Sequence, residues 1–217
     1  MRIADFASLA ALDEPPLDRL ALALASAFRP ADVDGALAEL DRLGVGLVAE
    51  VTGSPLEEAD ACRRVPGERE GFAGNREDYD HPDNSMLDLV LARRTGLPIL
   101  LSVVYVEVAR RAGITLAGVG LPGHFVVGHF GAEPPILLDP FSGGRIVTPE
   151  VRASHVRPWG PREIALRMLN NLVGSYVVRG DLGKAILAAK LRLTLPAGEE
   201  DWRALRAELK SLQARLN

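Results

Sequence analysis

Apolar residues recur at helical spacing through the first part of the chain. Leu17, Leu20, Leu24 and Phe28 form one stripe after Pro15-Pro16, and Pro30 ends the run. A second run starts at Ala31 with Val33, Leu37, Leu40 and Leu43, and Gly44 and Gly46 predict its weakening. A third, short helix is expected from Leu56 to Arg64, stopped by Pro66-Gly67. The stretch from Gly71 to Asn84 is polar, glycine-containing and turn-rich, which reads as a long loop of the kind that carries function. Asn84 or Ser85 then caps a predicted helix to about Thr95, with Leu87, Val90 and Leu91 on one face. Gly96 and Pro98 separate it from a helix over about Ile99 to Ala112. That helix is apolar on more than one face and so belongs at the centre of the fold.

The period then changes. Short β-leaning runs at Thr115–Val119, His124–Phe130, Ile136–Asp139 and Arg145–Val147 alternate with turns. Successive strands joined by short turns predict an antiparallel sheet with long helices on one side, an α+β fold. From Arg162 the chain is helical again. The pattern divides into a helical segment (1–67), a mixed core (68–160) and C-terminal helices (161–217).

Composition narrows the function classes. Of 217 residues, 47% are hydrophobic and 25% charged, a balance that supports a packed core. The formal charge of −4 gives no pull toward nucleic acid or an anionic membrane. The single cysteine, Cys62, excludes an intramolecular disulfide and a multi-cysteine zinc site, and it fits a reducing compartment. An acid at Asp5 stands where a secretory apolar stretch would begin, and no apolar run approaches the ~18 residues of a membrane span. The expectation is a cytoplasmic protein.

The strands place candidate chemistry together. A hairpin symmetric about Gly131-Ala132 sets His124 opposite Asp139, with Cβ atoms roughly 4.5–5.5 Å apart. A carboxylate at that range fixes the imidazole tautomer, as in a catalytic triad. His129 falls on the opposite strand face, which argues against a metal site shared with His124, Asp139 or His81. The central helix supplies Ser102 near its start, where the helix N-terminus favours an anion. Cys62, beside Arg63 and Arg64, is a remote second nucleophile candidate. Gly118-Val119-Gly120 is not followed by a helix, so it is no phosphate loop, and no cofactor is expected.

These residues fall in a series that resembles the SirB-type branch of the transglutaminase-like superfamily, which shares the papain-like architecture. The series runs Gly71-Phe72, Gly74-Asn75, Asp78-Tyr79, Asn84-Ser85, Gly96-Leu97-Pro98, Leu101-Ser102, Gly120 to Phe125, and Leu138 to Phe141 with Gly143-Gly144. The resemblance implies the roles of nucleophile, base and orienting acid at Ser102, His124 and Asp139, with serine where the catalytic enzymes carry cysteine. It further implies a cleft formed by Asn75, Asp78, Tyr79, Asn84, Ser85, Gly123 and Phe125. Leu172, Tyr176, Gly180-Asp181, Ala185, Leu191 and Pro196 resemble a single tetratricopeptide-type hairpin. Two readings follow: a pseudoenzyme that binds a protein or peptide partner, or a Ser-His-Asp hydrolase or acyltransferase acting on amide or ester bonds of peptides.

Overall fold

The computed structural model describes residues 3–50, 53–148 and 156–216. Helices α1 (Phe6–Ala10), α2 (Leu17–Phe28), α3 (Val33–Val48) and α4 (Pro55–Cys62) open the chain. Strand β1 (Ala73–Gly74) pairs in parallel with β2 (Thr95–Gly96), and the two bracket a 3₁₀ turn at Pro82–Ser85 and α5 (Leu87–Arg93). Then come α6 (Pro98–Arg111) and an antiparallel sheet in sequential order, β3 (Leu116–Leu121), β4 (His124–His129), β5 (Ile136–Asp139) and β6 (Arg145–Val147). Helices α7 (Pro161–Val178), α8 (Leu182–Arg192) and α9 (Glu199–Ala214) close it. The architecture is α+β, as the pattern predicts.

The multi-faced apolarity of α6 has its explanation in the packing. Leu100, Leu101, Val104 and Val108 are fully buried, and α6 contacts α3 on one side and β3 and β4 on another. One continuous core runs from α1 through α6 and the inner face of the sheet to α7 and α8. A second, small cluster of Val119, Leu121, Val126 and Leu137 lies on the sheet's other face.

Three local expectations are corrected. Helix α3 does not weaken at its glycines but continues to Val48. A Cβ at Gly44 would lie 2.5 Å from the Arg111 Cβ, so the glycine lets α6 approach closely, and that packing outweighs its poor helix propensity. Pro66 does not stop the third helix, which runs on as a π-helical turn over Arg63–Arg69, its wider ring accommodating the proline. Asn84 and Ser85 do not cap α5. They sit in the preceding 3₁₀ turn, and Met86 holds the N-cap position. From the first correction, Gly44→Val is expected to cost about 1–3 kcal/mol through overpacking. A urea midpoint equal to wild type would show that α3 and α6 do not meet so closely.

Candidate functional site

The β3–β4 connection is the two-residue turn Pro122-Gly123, since Leu121 pairs with His124. Proline sets the first turn position, and Gly123 takes the left-handed conformation, φ +70°, that the second requires. His124 is thereby fixed as the first residue of β4. The β4–β5 register differs from the symmetric expectation: Val127 pairs with Leu138 rather than Ile136. The slip is two residues, so it preserves the face of every side chain. His124 and Asp139 become diagonal neighbours instead of direct ones, a spacing that long side chains still bridge. Their contact survives, with His124 Nε2 3.0 Å from Asp139 Oδ1.

Asp139 is mostly buried, whereas a third of the His124 side chain is exposed. Burial pushes the Asp139 carboxyl up, but hydrogen bonds from His124, Ser142 and the Phe141 amide outweigh it, leaving the carboxyl below its ordinary range. The Phe141 amide donates to Asp139 Oδ1 at 3.0 Å. A carboxylate that accepts from Nε2–H leaves Nδ1 as the acceptor of the imidazole.

Ser102 is not joined to this pair. Helix α6 begins at Pro98, so Ser102 is its fifth residue and lies beyond the first turn. The Leu101 amide already donates to Leu97 at 3.0 Å, so the free amides of the helix start lie before Ser102. Its Oγ is buried and has no hydrogen-bond partner among the described residues, His124 included. By strand alternation Phe125, Val127 and Leu138 pack into the main core, and His124 and Asp139 share the face of Val126 and Leu137.

The other anticipated residues divide. Tyr79 is 45% exposed and meets the Phe141 ring edge-on at 5.8 Å. Asn75 and Asp78 lie in the same loop, where Asn75 Oδ1 accepts from the Glu77 and Asp78 amides and Asp78 pairs with Arg179. Asn84, Ser85 and Phe125 are buried. Phe125 instead packs edge-on against Trp159 at 5.4 Å. Asn84 ties down the loop, its Nδ2 donating to the Asp78 and Tyr79 carbonyls at 2.7 and 3.0 Å.

His129 is a structural residue. It is 1% exposed, its Nε2 lies 2.7 Å from Glu58 Oε2, and its Nδ1 accepts from the Gly131 amide. Cys62 is likewise interior, with its thiol pushed up to about 12 by burial and by the Glu58 charge, so it is no thiolate nucleophile at neutral pH. Among the described residues no group of three or more histidine, cysteine or carboxylate side chains is disposed to hold a metal ion.

Three residues escaped the sequence reading as site members: Phe141, Arg76 and Gly74. Phe141 is the hub: Tyr79 touches it edge-on, His124 lies edge-on at 6.4 Å, and the Arg76 guanidinium sits over its ring at 5.0 Å. Gly74 belongs to the same packing, because a Cβ there would fall 2.2 Å from the Phe141 ring. The signals available were Phe141 two residues after Asp139 and Arg76 inside the polar loop.

An antiparallel sheet with a buried helix against one face and a histidine–aspartate pair on neighbouring strands is the arrangement expected of a transglutaminase-like protein. The family model described as the transglutaminase-like superfamily matches residues 34–170, and the chain belongs to that superfamily. A UPF0162 protein of Xylella fastidiosa is 43% identical over 111 residues, covering 51% of this chain and 39% of its own length. A UPF0162 protein of Pseudomonas aeruginosa is 33% identical over 215 residues, covering 89% of this chain and 77% of its own. F-box only protein 21 of Mus musculus is 38% identical over 97 residues, 41% of this chain and 16% of that protein. The chain thus spans about two-fifths of the Xylella relative's length. No solved structure matches.

Proposed function

We propose that this chain is a SirB-type, non-catalytic member of the superfamily, a binding or regulatory module that holds a peptide or side-chain amide at His124 and Asp139. The carrying observation is Ser102, whose buried hydroxyl makes no hydrogen bond to His124 while the His124–Asp139 contact is intact. A serine nucleophile needs its base within hydrogen-bond reach to lose its proton during attack. A histidine held by a carboxylate but given no nucleophile still offers one ring nitrogen to a ligand.

The rest of the proposal follows from the architecture. Residues 1–67, 68–160 and 161–217 act as an N-terminal helical segment, a core and a C-terminal segment around one hydrophobic centre. Helices α7 and α8 pack against each other across the turn at Gly180-Asp181, and we read them as one tetratricopeptide-like unit that offers a partner surface. The similar stretch in the F-box protein makes up a small part of a longer chain, which suits a module. Among the described residues no helix is long and apolar enough to cross a membrane, and a cytoplasmic location is part of the proposal.

The test uses the serine hydroxyl and a thiol in its place. A fluorophosphonate probe is expected to leave Ser102 unlabelled between about pH 6 and 9. In Ser102→Cys, the thiol is expected to titrate at or above the ordinary ~8.5. Labelling that disappears in both Ser102→Ala and His124→Ala would overturn the non-catalytic reading and establish the hydrolase or acyltransferase.

A further inference from the structure

We infer that the peptide taken at His124 carries a carboxylate beside the residue presented to the imidazole, and that Arg76 reads it. The inference rests on the reading of the site given above and adds the chemistry of the ligand. Arg76 differs from most arginines of this chain. Arg29, Arg42, Arg63, Arg94 and Arg111 are each paired with a carboxylate. Arg76 makes no ion pair among the described residues and sits over the face of Phe141. A guanidinium held over a ring keeps N–H donors free for a ligand, and a guanidinium can bind a carboxylate in bidentate fashion.

The position of Arg76 makes its donors relevant. The ring beneath Arg76 is the one that His124 meets edge-on at 6.4 Å, so cation and imidazole flank a single aromatic surface. Tyr79 extends the surface on a third side. The loop carrying Arg76 is pinned on both flanks, by Asn75 Oδ1 accepting from the Glu77 and Asp78 amides and by the Asn75 Nδ2 bond to Asn84 Oδ1 at 3.1 Å. Arg76 is therefore presented on ordered backbone, which reduces the ordering cost of binding. Burial pushes the Tyr79 hydroxyl up, and the charges of Arg167 and Asp80 act on it in opposite directions. The exposed faces of Tyr79 and His124 make this an open platform, suited to an extended chain lying across it.

The test follows the His124 imidazole resonances by NMR in the full chain during titration with acetyl-Glu-Gln-Gly-amide, acetyl-Lys-Gln-Gly-amide and sodium acetate. The glutamate peptide is expected to bind roughly tenfold more tightly than the lysine peptide, the value of one charge-assisted contact. In Arg76→Gln that preference is expected to vanish, with the lysine peptide binding no worse than before. Arg76 is exposed, so the variant should keep the wild-type unfolding midpoint. Equal affinities in wild type, or a preference that survives in Arg76→Gln, would overturn the carboxylate inference and leave the site reading standing. Acetate binding as tightly as the glutamate peptide would overturn the peptide assignment. No response of His124 to any of the three would overturn the site reading and this inference together.

Discussion

Arg111→Ala is expected to cost about 3–5 kcal/mol of folding stability, the ordinary penalty for stranding buried charge. The Arg111 guanidinium reaches Asp18 Oδ2 and Glu107 Oε2, both at 2.7 Å, and Asp41 Oδ1 at 2.6 Å. Asp18 and Glu107 are 4% and 2% exposed. Without Arg111 their remaining ion-pair partner among the described residues is Arg110, which is largely in solvent and lies 3.6 Å from Asp18, and Asp18 keeps in addition only the Arg19 amide at 2.7 Å. Burial and then the Asp18 charge already push the Glu107 carboxyl up, against the two arginines. Removing one arginine pushes it further up.

The sign of the pH dependence follows from that direction. A carboxyl whose folded value exceeds its unfolded value binds more protons when folded. Its stabilising contribution is full below the unfolded value and is lost as pH rises through the folded one. The variant should therefore be closer to wild type at pH 5 than at pH 8 in urea melts. Arg111→Lys should restore only part of the loss, since one ammonium cannot replace the fork that serves three carboxylates. A loss under about 1 kcal/mol, or one equal at both pH values, would mean that the carboxylates find water or other partners.

What the sequence made legible was local in origin. The stripe through Leu17, Leu20, Leu24 and Phe28 marks α2, and the multi-faced apolar run marks α6 as the central helix, because both depend on periodicity alone. The end of α3 was not legible, since Gly44 is tolerated for the sake of Arg111 on another helix. The hairpin register was misplaced by two residues, yet the His124–Asp139 contact was still foreseen, because strand facing has a period of two. Ser102 fits a motif in sequence, but whether its hydroxyl bonds to His124 depends on the docking of a helix against a strand, which no local pattern encodes. The Phe141 platform was hidden for the same reason: Gly74, Arg76 and Tyr79 meet it only after the loop folds back on the core.

That folding back depends on Asn84, and Asn84→Ala should have an effect of similar size. Asn84 is fully buried, and its side chain makes four bonds at once: it donates to the carbonyls of Asp78 and Tyr79, and its Oδ1 accepts from Asn75 Nδ2 and, at 3.5 Å, from Arg93. Alanine would remove the donor from both carbonyls, and each group left unpaired in the interior costs about 1–3 kcal/mol. The loop has few apolar anchors of its own, so it is expected to open rather than to bury the unpaired carbonyls. Hydrogen exchange at the Glu77 and Asp78 amides should then rise steeply, while exchange along α6 rises only by the global loss of stability. Opening would also release Arg76 and Tyr79 from Phe141, so the variant should lose the preference for an acidic peptide even though His124 and Asp139 are untouched. Asn84→Asp separates the two effects, since it keeps an acceptor for Asn75 but offers the carbonyls no donor. Protection retained at Glu77 and Asp78 in both variants would mean that the Arg179–Asp78 pair and the bond from Ser175 to the Asp80 carbonyl hold the loop without Asn84.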